Sequence, residues 1–284
     1  MSSIIQAQCV TMQELNDLFI DLEYEKQQSK VSGVYRSRSF NQKNKKHLQL
    51  DEIKAALKLV DRTKIKYIYL MGENAMSHPE FNHILRLCLS LKPVTIYTDG
   101  GCINDKKARF LKRVEDEGNN ELIFKIFINH YDEKTNDEIA DRGAFRKAIH
   151  SISALNKYGF NPILVIKTTI PKNEELINGF RDLGKKFGFE TDEINLEFVP
   201  DTETINEYES IELPQKHIAQ LDCMTSRIIS KSGVYNCPLL LNDYRGRSGG
   251  AISDFSTKCY LETDKCSICK SFGKRIYANN WDQI

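Results

Sequence analysis

Several features that would assign this chain to a broad class are missing from its sequence. No apolar run approaches the roughly 18 residues that a membrane-spanning helix requires. The first residues, MSSIIQAQCV, lack the basic segment followed by an apolar segment that marks a secretory signal. The 40 basic and 39 acidic side chains leave a net charge of +1, so the chain has no global polyanion-binding character. These absences argue against a membrane protein and a generally basic nucleic-acid-binding domain, and they predict a cytoplasmic location.

Cysteine, by contrast, is abundant and unevenly distributed. A chain of 284 residues that is 40% hydrophobic can bury a sizeable core without disulfides. Eight cysteines without a secretory signal favour metal binding or redox chemistry over disulfide formation. Cys88 follows Ile84 and Leu85 at helical spacing and is predicted to be a buried core residue. Five others crowd the last quarter of the chain, namely Cys223, Cys237, Cys259, Cys266 and Cys269.

The first two hundred residues alternate β-rich runs with helical patterns, which is typical of βα units around a parallel sheet. The apolar spacing of Asp51–Val60 and of the segment after Gly143 predicts crossover helices that pack on this sheet. An α/β fold is therefore predicted. The expected strands are Leu18–Leu22, Tyr67–Met71, Val94–Thr98, Leu122–Ile128, Ile163–Thr169 and Ile194–Val199.

Two cysteine pairs near the end of the chain have the spacing of a metal site. Residues between Cys223 and Cys237 read as two short strands around a turn at Lys231-Ser232-Gly233, and such a hairpin brings its end cysteines together. The C-x2-C turn of Cys266 and Cys269 aims two further sulfurs at one point. Four thiolates suit zinc or an iron–sulfur cluster, and the spacing alone does not choose between them. Cys259 is interpreted as a packed thiol or an alternate ligand.

This combination resembles the radical S-adenosylmethionine (SAM) superfamily with a C-terminal SPASM-like or twitch-type domain. The resemblance rests on the βα rhythm, on CMTSRIISKSGVYNCPLLLNDYRGRSGG and on CSICKSFG. It implies a partial (β/α)6 barrel over residues 1–205 and a small cysteine-rich iron–sulfur domain over residues 206–284. It also implies an auxiliary [4Fe-4S] cluster, whose ligands would be Cys223, Cys237, Cys266 and Cys269.

The resemblance further implies where SAM would bind. The segment MGENAMSHPEF stands at the end of the second predicted strand, where the family has a glycine-rich acidic motif. Gly72 and Glu73 match that motif, whereas Met71 and Asn74 depart from it. TDGG, which begins at Thr98, resembles the TNG after the family's third strand. Residual SAM binding by Gly72, Glu73 and Thr98 is one expectation, and pairing of Glu73 with a nearby lysine is the other.

The loop after the first predicted strand is where the family carries a C-x3-C-x2-C cluster motif, and here that spacing falls on Lys26, Lys30 and Gly33. A lysine ammonium has no free lone pair and glycine has no side chain, so neither can ligate iron. The SAM-cleaving cluster is therefore predicted to be absent. The same loop is basic and free of acidic residues from Lys26 to Lys46, and includes Arg36 and Arg38. It is either a solvated loop or a site for an anionic ligand.

These expectations favour a radical-SAM-like pseudoenzyme or accessory protein that keeps an auxiliary [4Fe-4S] cluster, with zinc as the alternative metal. Its expected partners are an intact radical SAM enzyme and that enzyme's peptide or small-molecule substrate. One alternative is an enzyme with a repurposed barrel pocket. Another is a nucleic-acid-binding module that uses the basic loop 26–46.

Overall fold

A computed structural model describes residues 8–22, 47–59, 64–72, 75–168, 174–189, 195–200, 218, 221–241, 243–251, 253, 255–261, 266 and 269. The strands are β1 (Gln8–Thr11), β2 (Asp17–Asp21), β3 (Tyr67–Met71), β4 (Val94–Thr98), β5 (Leu122–Phe127), β6 (Ile163–Thr168), β7 (Leu196–Pro200), β8 (Ser226–Ser230), β9 (Gly233–Tyr235), β10 (Arg247–Gly249) and β11 (Lys258–Leu261). The helices are α1 (Leu50–Leu59), α2 (Phe81–Leu89), α3 (Asp105–Glu117), α4 (Glu133–Ile139), α5 (Ala144–Lys157) and α6 (Glu174–Phe187). No helix in these ranges is long and apolar enough to cross a bilayer.

The predicted α/β fold is confirmed. A nine-stranded sheet has the order β10-β9-β8-β2-β3-β4-β5-β6-β7, and its strands run parallel from β8 to β7. All six predicted strands are present: β3 and β4 have the predicted bounds, and the other four differ by at most two residues at either end. The hairpin predicted before Cys237 is also confirmed, as β8 and β9 pair antiparallel.

The crossover helices form where the apolar spacing predicts them. Helix α5 buries Phe145, Ala148, Ile152 and Leu155 along one face. Its start is fixed by Asp137, whose carboxylate accepts backbone N–H groups that have no partner within the helix. Cys88 is fully buried on α2, as predicted. The predicted helix at Asp51–Val60 is α1, shifted by one residue.

Alternate residues of a strand pack on opposite faces of the sheet, in two separate apolar clusters. Leu18 and Ile20 of β2 belong to the large core between the sheet and the helices, whereas Phe19 belongs to a second cluster on the opposite face. In that second cluster Phe19 stacks on Tyr69 with their ring centroids 4.3 Å apart. Leu241 and Tyr235, from the cysteine-rich end of the chain, also pack there. The inner face of the sheet is thus covered in part by the C-terminal segment.

The cysteine-rich end is joined to the sheet in two ways. β8 pairs in parallel with β2, with Asp17 opposite Ser226 and Ile20 opposite Ile229. A separate two-stranded sheet pairs β1 antiparallel with β11 and sets Val10 opposite Cys259. Residues from both sides of the predicted 205/206 boundary therefore share these sheets, and the division into two domains stays a prediction.

Candidate metal centre

Five cysteines from the last quarter of the chain line one cavity. Cys223 lies in a short 3-10 helix, Asp222–Met224, just before β8, and Cys237 directly follows the β8–β9 hairpin. The remaining thiols on the wall belong to Cys259 on β11 and to Cys266 and Cys269. The hairpin thus brings Cys223 and Cys237 to one cavity, as its two strands and turn predict. Cys259, interpreted there as a packed or alternate thiol, lies on the same wall.

Most of the rest of the cavity wall is apolar, although Asp222 and Asn236 also line it. It includes Leu221, Pro238, Leu240 and Leu261. Burial raises the pKa of the Cys237 thiol to about 12 and raises the pKa of Cys269 well above its ordinary value. Deprotonation of these thiols therefore requires a compensating cation, which a bound metal supplies.

Cys223 and Cys259 form a hydrogen-bonded pair at one side of the cavity. Their shared bond raises the pKa of Cys223, which burial raises further. The same bond lowers the pKa of Cys259, and the guanidinium of Arg227 lowers it as well. Arg227 is fully buried on β8, and its Nη2 lies 3.4 Å from the Cys259 sulfur. The pair therefore favours one thiolate beside a buried cation.

The donors suit a thiolate-ligated group. In the described ranges, no three His, Cys, Asp or Glu side chains converge as a site for a single metal ion. The five sulfurs instead surround a shared cavity. Cysteine thiolates are the usual ligands of [4Fe-4S] clusters and also bind zinc, so the type of donor alone does not choose between the two groups.

The second predicted site lies at the carboxyl ends of the parallel strands. Gly72 follows β3 with a φ of 130°, and Thr98 ends the neighbouring strand β4. The Thr98 hydroxyl accepts a hydrogen bond of 3.0 Å from the backbone N–H of Gly100, so it helps to form the turn after β4. The other residues predicted for this site and its loop, Lys26, Lys30, Gly33, Arg36, Arg38 and Glu73, lie outside the described residues.

A small cavity at this edge of the sheet was not anticipated as a site. It lies beyond β4 and β5, and its wall includes Asp99, Asn129, Asn136, Asp141 and Lys147. Asn129 is buried, and its Oδ1 has no hydrogen-bond partner within the described part of the chain. Sequence position could have indicated this cavity, because Asp99 and Asn129 follow the neighbouring strands β4 and β5, whose carboxyl ends lie at this edge.

A buried polar network lies inside the sheet below this edge. Lys125 of β5 exposes only 1% of its side chain, and its Nζ lies 2.6 Å from Oε2 of Glu197 on β7. The same nitrogen donates to the Tyr97 hydroxyl at 3.1 Å. The cation thus has a carboxylate partner within the sheet.

The comparisons with known proteins agree with this architecture. The family model described as the radical SAM superfamily matches residues 33–183, just over half of the chain. No curated protein sequence matches the chain.

Among solved structures, SuiB of Streptococcus suis bound to its precursor peptide SuiA is similar, with a TM-score of 0.60 and 13% identity over 84% of this chain. The match covers 63% of SuiB, so the chain spans less than two thirds of that protein's length. AdoMet-bound anSMEcpe gives a TM-score of 0.60 at 14% identity and covers 90% of this chain and 84% of its own. At such identities these similarities establish the fold, and they confirm the predicted partial barrel of the radical SAM type.

Proposed function

The chain belongs to the radical SAM superfamily, and we propose that it is a pseudoenzyme or accessory member that has lost the SAM-cleaving cluster. In this proposal it keeps one auxiliary [4Fe-4S] cluster at Cys223, Cys237, Cys266 and Cys269. The observation that carries the proposal is the contrast between a cavity lined by cysteine thiols and a first loop that has none at its cluster spacing.

The retained cluster is supported by the environment of its ligands. All four thiols line one cavity, and they reach it from the two ends of a hairpin and from a C-x2-C turn. Apolar side chains around such a site lower the local polarity and so tune the properties of a thiolate-ligated group. A [4Fe-4S] cluster would supply a one-electron carrier there, so these residues could hold a centre for electron relay.

The lost activity is supported by side-chain chemistry in the first loop. Lys26, Lys30 and Gly33 provide no thiolate at the C-x3-C-x2-C spacing. Cys9 and Cys102 lie outside that loop, and neither has a cysteine neighbour at ligand spacing. Reductive cleavage of SAM needs an iron–sulfur electron donor at that position, and this chain lacks the ligands for one.

The proposed work of the protein is binding. SuiB, which shares the fold, has been solved with a precursor peptide, so a peptide substrate is a reasonable ligand class for this chain. We propose that the chain presents such a peptide, or another substrate, to an intact radical SAM enzyme. The proposed contact region is the carboxyl edge of β3 to β5, where Gly72, Thr98 and the cavity beside Asn129 lie.

The proposal predicts no formation of 5′-deoxyadenosine when the anaerobically reconstituted protein is incubated with SAM and dithionite. An intact radical SAM enzyme assayed under the same conditions provides the positive control. Formation of 5′-deoxyadenosine at a rate that scales with protein concentration would contradict the loss of the core activity.

The cluster is tested separately by its ligands. Cys237→Ala and Cys269→Ala should each lose most of the bound iron, whereas Cys9→Ala, which removes an exposed thiol, should keep it. Bound zinc in place of iron would contradict the cluster assignment. Unchanged iron in both ligand variants would contradict the choice of ligands.

A further inference from the structure

Arg227 is an unusual residue for the middle of a buried strand. It is the largest fully buried side chain in the described chain. Its Nη1 donates to the backbone carbonyls of Cys223, at 2.9 Å, and Ser226, at 2.7 Å. Its Nη2 donates to the carbonyls of Ser256 and Thr257 at 3.2 and 3.3 Å. The guanidinium therefore fastens the start of β8 to the segment before β11.

These contacts hold Arg227 in place without neutralising it. Among the described residues no carboxylate forms an ion pair with Arg227, and its Nε has no hydrogen-bond partner. A buried cation without an anion is costly, because neutral carbonyls replace only part of the lost hydration. Its sulfur partner is Cys259, and the cavity beyond is lined by four further thiols and by the Asp222 carboxylate.

Cys259 connects this cation to the cavity. Its sulfur accepts from Arg227 Nη2 at 3.4 Å and lies 3.5 Å from the carbonyl oxygen of Cys223. Its backbone is fixed by the pairing of β11 with β1, where Cys259 lies opposite Val10. Both residues thus contact the backbone carbonyl oxygen of Cys223: Arg227 through its Nη1 and Cys259 through its sulfur.

We propose that Arg227 and Cys259 are positioning residues for the metal-binding sulfur of Cys223, and that Cys259 is not itself a ligand. This inference rests on the proposed cluster at the other four cysteines. Arg227 orients Cys259 and balances the negative charge that thiolate ligands bring into the cavity. Cys259 in turn supplies a polar contact to Cys223. Partners of this kind tune ligand strength and reduction potential without binding the metal.

The first test separates a ligand from a positioning residue at Cys259. Cys259→Ala should retain the wild-type iron and sulfide content, and the midpoint potential of its cluster should become more negative because the polar contact to Cys223 is lost. Cys259→Ser keeps a hydroxyl at that position and should restore much of the wild-type potential. Cys9→Ser provides the control, since it changes an exposed thiol on the strand that pairs with β11. Loss of most iron in Cys259→Ala would overturn the inference, because it would make Cys259 a ligand.

The second test removes the cation. Arg227→Gln should shift the midpoint potential to more negative values and weaken iron retention against a chelator by roughly tenfold, as is typical for partners of metal ligands. Arg227→Lys keeps the charge and should shift the potential less. Arg247→Gln is the matched control, because Arg247 is an exposed arginine on β10, two strands from β8 in the same sheet. An unchanged potential in Arg227→Gln would overturn the role of Arg227.

Failure of a variant to fold, or of the wild type to bind a cluster, also has a defined meaning. If Arg227→Gln does not fold, the Cys259 variants decide alone, and an unchanged potential in Cys259→Ala overturns the inference. A wild-type protein that binds zinc or no metal overturns the proposed cluster and this inference together. Iron at the wild-type level with unaltered potentials in the variants overturns this inference only.

Discussion

Two cations lie fully buried in the same nine-stranded sheet, and they have different partners. Lys125 on β5 has a carboxylate partner, Glu197, at 2.6 Å and a hydroxyl partner on Tyr97. Arg227 on β8 has four backbone carbonyls and the sulfur of Cys259. The first cation is balanced by a carboxylate inside the barrel. The second has no carboxylate partner among the described residues: it contacts the Cys259 sulfur, and its guanidinium lies 5.6 Å from the centroid of the Phe255 ring.

The difference separates a structural role from a functional one. A buried ion pair holds its strands together, and replacing both partners by apolar groups costs little. For a buried cation in contact with cysteine sulfur, the electrostatic stabilisation depends on whether the neighbouring thiols are protonated or bound to a metal. We therefore expect the Lys125 network to affect stability without affecting metal binding, and Arg227 to affect the metal centre.

The largest expected effect follows from breaking the Lys125–Glu197 pair. Glu197→Leu leaves Lys125 buried without a carboxylate, and it should lower the free energy of unfolding by about 3 kcal/mol. The double variant Lys125→Met with Glu197→Leu should recover most of that loss, since no charge is then left buried. Urea unfolding of the three proteins measures both steps. A loss of less than about 1 kcal/mol in the single variant would show that water reaches the pair.

The next effect concerns the thiol cavity. Metal bound to the folded state alone should raise the free energy of unfolding by about 2.7 kcal/mol when the free metal is a hundredfold above Kd. In Cys269→Ala this difference between loaded and stripped protein should vanish, whereas Cys9→Ala should preserve it. Because the loaded and the stripped protein carry the same substitution, its own effect on the free energy of unfolding cancels in the comparison. An equal difference in Cys269→Ala and the wild type would exclude Cys269 from the site.

The smallest effect comes from the hydroxyl beside Lys125. Tyr97→Phe removes the acceptor of a charged hydrogen bond and should lower the free energy of unfolding by about 1.5 kcal/mol. Tyr244→Phe should have no effect, because Tyr244 is 84% exposed. Iron content should be the same in both variants. A drop in iron on Tyr97→Phe would show that the two buried cations are not independent.

Much of the fold could be predicted because its signals are local. The bounds of β3 and β4 follow from short apolar runs, and α5 follows from the spacing of Phe145, Ala148 and Ile152. The same holds for Cys223 and Cys237, since the hairpin between them needs only a turn and two short strands.

The remaining features depend on contacts between residues that are distant in sequence. Cys259 reaches the cavity because β11 pairs with β1, and four-residue strands at opposite ends of a chain give no local signal of pairing. The lysine in LIFKIF was visible within an apolar strand, but its partner Glu197 lies two strands away in the sheet. Arg227 likewise stands in a predicted hairpin, where nothing local distinguishes a buried arginine from an exposed one.

The proposal that the chain keeps one cluster and has lost the other can be tested by counting iron and sulfide. The anaerobically reconstituted chain of 284 residues should contain about four iron and four sulfide, as one [4Fe-4S] cluster requires. About eight of each would contradict the loss of the core cluster, and bound zinc without iron would contradict the retained one.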